Sequence, residues 1–176
     1  PCQIVIGADG SQSVARQLAG IGRSGWAYDQ TAVVAHLRTG QPHRESAWQR
    51  FLPNGPLAFL PLQDGRVSLV WSTTPDEAAS LQAASEAEFS ERVSIASDHV
   101  LGQVTLASGR AGFPLALWHA RAYVQPRLAL VGDAAHTIHP LAGQGVNLGF
   151  LDCASLVQVL AAASAKGEEL HGLRVL

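Results

Sequence analysis

The sequence contains no methionine, only two cysteines, 6% aromatic residues and 15% charged residues. Each shortage excludes something. Cys2 and Cys153 stand at opposite ends of the 176 residues, so neither a disulfide framework nor a zinc-ligand spacing is available, and a reducing cytosol fits best. Ordinary soluble chains carry roughly 25% charged residues, so this chain disfavours long disorder and favours unusual burial or an apolar face awaiting cover. Twelve Lys and Arg against fourteen Asp and Glu leave a net charge of -2, which provides no electrostatic footprint for nucleic acid or an anionic membrane. We find no run approaching the roughly 18 to 20 apolar residues of a membrane span and no charged-then-apolar leader, which leaves at most peripheral membrane contact. The missing methionine and the opening Pro1-Cys2-Gln3, running straight into apolar residues, predict a piece of a larger protein. Its length suits one to two domains.

What is present falls into three parts. Cys2 to Ile6 predicts a buried strand stopped by Gly7-Ala8-Asp9-Gly10, with Ser11 or Ser13 capping a short helix toward Leu18. From Thr31 to Arg38, Val33, Ala35 and Leu37 alternate with Val34, His36 and Arg38 in the two-residue period of a half-buried strand. Trp48 to Leu52, Leu57 to Leu62 and Arg66 to Ser72 continue as strands, the last two joined by the hairpin signal Gln63-Asp64-Gly65. Thr74-Pro75-Asp76-Glu77 is a capping box, and the stripe Leu81, Ser85, Phe89, Val93 and Ala96 predicts one helix running to about Ser97. Further strands are expected at Gln103 to Ala107, Arg110 to Leu117 and Arg127 to Val131. From about Gly145 to Ala163, apolar residues on both sides predict a helix buried nearly all round, with Cys153 as a small core residue.

The densest chemical signal runs from Gly132-Asp133-Ala134-Ala135-His136 through Pro140 and Gly143-Gln144-Gly145-Val146-Asn147. A strand ending in a carboxylate, a loop of small residues and a helix start present unpaired backbone N–H groups, and such an end receives anions or electron-rich rings. Glycines let a flat ligand approach the backbone, and the carboxylate can accept hydrogen bonds from sugar hydroxyls. The plainer alternative is a Gly-rich turn with a capping Asp.

Gly7-Ala8-Asp9-Gly10-Ser11-Gln12-Ser13-Val14-Ala15-Arg16 resembles the GADGxxSxxR segment of class A FAD-dependent aromatic monooxygenases, and Gly132 through Asp152 resembles their second FAD segment. His139-Pro140-Leu141-Ala142-Gly143-Gln144-Gly145-Val146-Asn147-Leu148-Gly149 with Asp152 is similar to the subgroup that hydroxylates polyprenylated phenols in ubiquinone biosynthesis. The resemblance extends through the middle of the chain.

It implies an α/β fold, α+β within this chain: parts of a Rossmann-like FAD-binding domain (1–28 and 120–176) around an inserted antiparallel-sheet substrate domain with one helix (29–119). It also implies NAD(P)H as co-substrate and hydroxylation through a flavin C4a-hydroperoxide, the cofactor carrying the hard chemistry. Residue by residue, Asp133 beside Gly132 takes the FAD ribityl chain, and Pro140 lies against the isoalloxazine. Gly143, Gln144, Gly145, Val146 and Asn147 place amides at the flavin N1–O2 edge, so catalytic roles fall to Pro140, Gly143 and Gln144. Asp9 holds its loop and Arg16 is a candidate charge partner. Phe59, Leu60, Pro61, Trp71 and Phe113 are candidate walls that keep water from the reaction, with ordinary sheet core as the alternative reading of each.

The family opens with a GxGxxG strand; here Gly20-Ile21-Gly22-Arg23-Ser24-Gly25 follows no apolar strand, which again predicts a chain lacking both ends of the complete enzyme and inactive alone. His136 and His139 lack a third ligand for a metal, and no G-x-S-x-G elbow supports a hydrolase built on Ser13, His136 and Asp133. Arg23, His36, Arg38, His43 and Arg44 form a loosely basic, solvated face. Two other readings remain: a flavoenzyme acting on another aromatic, and a non-catalytic flavin-fold scaffold in a membrane-peripheral biosynthetic complex.

Overall fold

The computed structural model describes residues 2–170, 172, 174 and 175. Pro1 and Leu176, the outermost residues of the expected segments, lie outside it together with His171 and Leu173. The first half of the chain forms strand β1 (Val5–Gly7), helix α1 (Val14–Leu18) and strands β2 (Arg23–Thr39), β3 (Trp48–Leu52), β4 (Gly55–Pro61) and β5 (Val67–Thr73). Helices α2 (Pro75–Ala83) and α3 (Glu86–Ala96) follow, then strands β6 (Val104–Leu106), β7 (Ala111–Ala120), β8 (Val124–Gln125), β9 (Leu128–Leu130) and β10 (His136–Thr137), and helix α4 (Gln144–Ala165). They form two compact units, Ala27–Leu115 and the combination of Pro1–Trp26 with Ala116–Leu176.

In the contiguous unit, β5 lies antiparallel between β2 and β4, β3 pairs with β4, and β6 pairs with β2. The register aligns Val33 with Trp71, Ala35 with Leu69, Leu37 with Val67, Leu57 with Trp71 and Phe59 with Leu69. Side chains alternate across a strand, so all of these share one face. That face carries the core, where Leu81, Phe89 and Val93 are fully buried with them. The hairpin joining β4 and β5 turns at Gly65 with φ 83°, and Asp64 accepts from the Arg66 backbone N–H at 3.1 Å and from its Nε at 2.7 Å.

The helical stretch corrects one expectation. A single helix to Ser97 was predicted, but the structure breaks it into α2 and α3 at Ala84, whose ψ of 153° leaves the helical region. Ser85 is an exposed N-cap, accepting from the Glu88 N–H at 3.2 Å, where the stripe had placed it inward. Ser85-Glu86-Ala87-Glu88 is itself a capping sequence, and it competes successfully with continuation of α2. Arg92 joins the two helices, reaching Glu77 at 2.7 Å and Ser80 at 3.0 Å.

In the discontinuous unit, β1 and β9 pair in parallel, Val5 with Leu128 and Gly7 with Leu130, and β8 extends them antiparallel. Ile21, Ala120, Leu128, Leu130, Ala134 and Ala135 form its core. Half of these are alanines, so backbone elements approach closely there.

Helix α4 overturns three further expectations. Only Ala163 is buried along it, while Val146, Phe150, Leu151 and Val157 are all more than 60% exposed. Among the described residues too little apolar surface meets the helix to bury it all round, and the anticipated uncovered apolar face is found here. By length and composition its 22 residues also suffice to cross a membrane, contrary to the sequence reading of no such stretch. Cys153, expected in a core, is exposed for the same reason.

Candidate functional site

The first loop of the site follows β1. Gly10 takes φ 82°, and Asp9 accepts the Ala15 N–H at 3.0 Å. Its carboxyl is held below the ordinary carboxylate value by a hydrogen bond from Ser13, then by that of Ala15. Ser13, fully buried, caps α1 by accepting the Arg16 N–H at 2.9 Å. Arg16 turns inward, donating from Nη1 to the Ala134 carbonyl at 2.8 Å and from Nη2 to the Ser11 carbonyl at 2.9 Å. Its role in this chain is therefore to tie the first loop to the second.

The second loop follows β9. Gly132 adopts φ 59° at the start of a short 3₁₀ turn, Gly132–Ala134, which buries Ala134 and leaves Asp133 exposed. Gly149 of α4 lies so close that a Cβ on it would stand 3.2 Å from the Gly132 Cα. The helix and turn thus meet backbone to backbone, and a side chain on Gly149 would need the Gly132 backbone to give way by a few tenths of an ångström. Asp152, one turn further along α4, accepts from the Gly132 N–H at 2.8 Å and contacts His136 Nε2 at 2.7 Å.

Helix α4 begins behind Gly143, a left-handed residue with φ 63° and no side-chain cap. Its first-turn N–H groups and positive dipole end are therefore offered outward. They open onto a cleft of about 660 Å³ lined by Ala8 and Gly10 from the first loop, Gly132, Asp133, Thr137, Ile138 and Pro140 from the second, and Gly143, Gly145, Val146, Gly149, Phe150 and Cys153. Five of these lining residues are glycines, so a planar group can lie against main chain. The carboxylate of Asp133 and the helix end provide hydrogen-bond acceptors and donors in the same space. These features fit a flavin.

The structure thus brings Gly132, Asp133, Pro140, Gly143, Gly145 and Val146 together in one cleft. Gln144 and Asn147 sit in the same first turns of α4 with exposed side chains, while Asp9 and Arg16 build the walls rather than line them. Sequence reasoning passed over the hydrogen bonds of Asp152 and the lining by Phe150 and Cys153. The acidic residue was visible as part of the motif, but nothing local marks which backbone amide it meets.

Flanking the turn, burial pushes the Tyr123 hydroxyl up, with the Asp152 charge adding to the effect, and burial lowers His139 from its ordinary value. His139 Nδ1 accepts the Leu141 N–H at 3.1 Å, shaping the approach to Gly143.

The candidate substrate wall needs correction. Phe59 and Trp71 lie on the core side of the sheet, whereas Leu60 points to the opposite face and is 43% exposed. Adjacent strand residues alternate faces, so Phe59 and Leu60 cannot line one wall. Pro61 is half-buried and Phe113 exposed. A separate cavity of about 280 Å³ involves Trp48, Arg50, Phe59 and Asp98.

The architecture and this cleft define a mixed α/β flavin-binding fold. The chain belongs to the FAD binding domain family, which matches residues 1–171. It is 49% identical over 175 residues to 3-demethoxyubiquinol 3-hydroxylase of Escherichia coli, covering 99% of this chain and 44% of that protein. It is 46% identical over 205 residues to the mouse ubiquinone biosynthesis monooxygenase COQ6, mitochondrial, covering 97% of this chain and 43% of the relative. Among solved structures, Pseudomonas aeruginosa PqsL in complex with 2-aminobenzoylacetate matches with a TM-score of 0.77 at 27% identity, covering 96% of this chain and 48% of PqsL. The chain thus spans less than half the length of the relatives it matches.

Proposed function

We propose that this chain is the central part of an FAD-dependent, NAD(P)H-consuming monooxygenase that hydroxylates a polyprenylated phenol in ubiquinone biosynthesis. The carrying observation is that two loops far apart in sequence converge on one glycine-lined cleft beneath an uncapped helix start. The names of the two relatives at 49% and 46% identity supply the substrate class.

Bound FAD supplies the oxygen chemistry that no side chain can. Asp133 accepts hydrogen bonds from the ribityl hydroxyls. The free first-turn amides of Gln144, Gly145 and Val146, with the dipole of α4, would stabilise negative charge at the ring edge, an electrostatic contribution fixed before reaction, whereas the Gly143 N–H is spent on the Pro140 carbonyl and Asn147 opens the helical ladder. Pro140 restricts the approach to the ring, and Asp9 and Arg16 keep the loops in register. Water would be excluded by apolar side chains. We assign 1–28 and 120–176 to the flavin domain and 29–119 to the substrate domain.

Helix α4 serves the cleft rather than a membrane span, because Gly145, Val146, Gly149, Phe150 and Cys153 all line it. On this reading, any contact that α4 itself makes with the inner membrane or with a biosynthetic complex is peripheral.

The test is the visible absorption spectrum of the complete protein. A flavin spectrum bleached by NAD(P)H and lost in Asp133→Ala is expected. A colourless protein that takes up no added FAD overturns the proposal and leaves a scaffold role, whereas flavin reduction without hydroxylation of a polyprenylphenol points to another aromatic substrate.

A further inference from the structure

We infer that Asp152 is a positioning residue for the flavin-site turn, acting through a single carboxylate oxygen; this rests on the flavin reading of the cleft. Its Oδ2 receives two hydrogen bonds, from the Gly132 N–H at 2.8 Å and from His136 Nε2 at 2.7 Å. A carboxylate oxygen can only accept, so the imidazole carries its proton on Nε2. Gly132 and His136 bracket the turn in which Asp133 is exposed. One atom therefore pins both ends of the segment whose middle residue faces the cleft.

The surroundings make this arrangement specific. His136 is 94% removed from solvent at 6% exposure, and its Nδ1 has no hydrogen-bond partner among the described residues. The Asp152 bond is thus the polar contact that sets the ring orientation. The Tyr123 ring lies tilted against it at 5.8 Å between centroids, and Tyr123 in turn meets His119 Nδ1 through its hydroxyl at 2.6 Å. His136 also pairs with His119 where β10 joins β7. Asp152 stands on the same helix whose first turn supplies the amides of the cleft, and Gly149 lets that helix touch Gly132. The carboxylate accordingly fixes the spacing between the Asp133 turn and the α4 amides, the two halves between which a flavin is held. Because both bonds end on Oδ2, an asparagine Oδ1 in the same place can replace them.

The experiment uses the complete protein with Asp152→Ala, Asp152→Asn, His136→Phe and Asp133→Ala, reading FAD affinity by fluorescence titration and the exchange rate of the Gly132 amide hydrogen in the FAD-free state. Asp152→Ala is expected to weaken FAD binding about tenfold and to speed Gly132 exchange by a similar factor, the equivalent of one charge-assisted hydrogen bond. Asp152→Asn should restore both within about threefold, since the acceptor remains while the charge is lost. Asp133→Ala should weaken FAD without altering Gly132 exchange. His136→Phe, which keeps a ring but no nitrogen, should weaken FAD while Gly132 stays protected, and it carries the test where Asp152→Ala does not fold. Unchanged FAD affinity in Asp152→Ala, or in His136→Phe, overturns the inference. So does unchanged Gly132 exchange in Asp152→Ala, which decides the clamp even if the wild-type protein takes up no FAD and the functional reading itself fails.

Discussion

Arg16 and Ala134 stand 118 residues apart in the sequence, yet the buried guanidinium donates to that carbonyl at 2.8 Å while its other arm holds Ser11 at 2.9 Å. The loop after the first strand and the loop after β9 are consequently one structure. Arg16→Ala leaves both carbonyls short of a donor and is expected to cost about 2–4 kcal/mol. Arg16→Lys should recover part of this, because an ammonium lacks the planar fork that reaches two acceptors. Denaturant unfolding of the complete protein measures both, and a lysine variant as stable as wild type contradicts the two-armed tie.

Gly149→Ala inserts a methyl 3.2 Å from the Gly132 Cα, and a backbone atom there cannot swing aside as a side chain would. We expect a loss of about 1–3 kcal/mol from overpacking together with weaker flavin uptake as α4 moves off the turn. Thermal melting and FAD titration would show the two effects together; a stability loss without any change in FAD affinity would separate the contact from the site.

Ser85→Ala removes the cap of α3 and should destabilise the sheet-bearing unit by about 1 kcal/mol. Circular dichroism melts read this directly. This helix also marks where the sequence was readable and where it was not. The hairpin at Gly65 and the cap at Thr74 follow from residues within four positions of one another, and the structure has both. Local chemistry of the same kind separates α2 from α3, but a continuous apolar stripe across Ser85 outweighed it in the reading. The two loops of the candidate cleft were legible because their glycines, Asp133 and the start of α4 are also sequence-local.

Burial was far less legible. The apolar residues of α4 carry no mark of whether anything covers them, and the same composition passes for a core helix, an open face or a span. Phe59 and Leu60 were grouped as one wall by hydrophobicity, although the strand period assigns them to opposite faces. The bonds of Asp152 escaped notice because they depend on how α4 lies against Gly132, twenty residues away in sequence.

A pH effect is expected at His139. Burial holds its pKa below the ordinary 6.5, and Nδ1 must stay unprotonated to accept the Leu141 N–H. With the folded value below the unfolded one, the stabilisation is complete above 6.5 and is lost as pH falls through the lower folded value. Melting temperatures between about pH 7.5 and 5 should therefore fall more for wild type than for His139→Gln, whose amide does not titrate in that range. Parallel curves would remove His139 from the account.

The pairing of Val5 with Leu128 has a consequence for the order in which the protein assembles. Residues 27–115 form a continuous unit and can mature as soon as they leave the ribosome, since domains generally fold as units during synthesis. Strand β1 is made before residues 27–115, yet its pairing with β9 must wait until residues 128–130 are translated. During that interval the edge that β1 offers to β9 is unmatched, open to mispairing or to a chaperone. Slow translation across the intervening unit would prolong this vulnerable period, whereas rapid completion of residues 116–130 would end it.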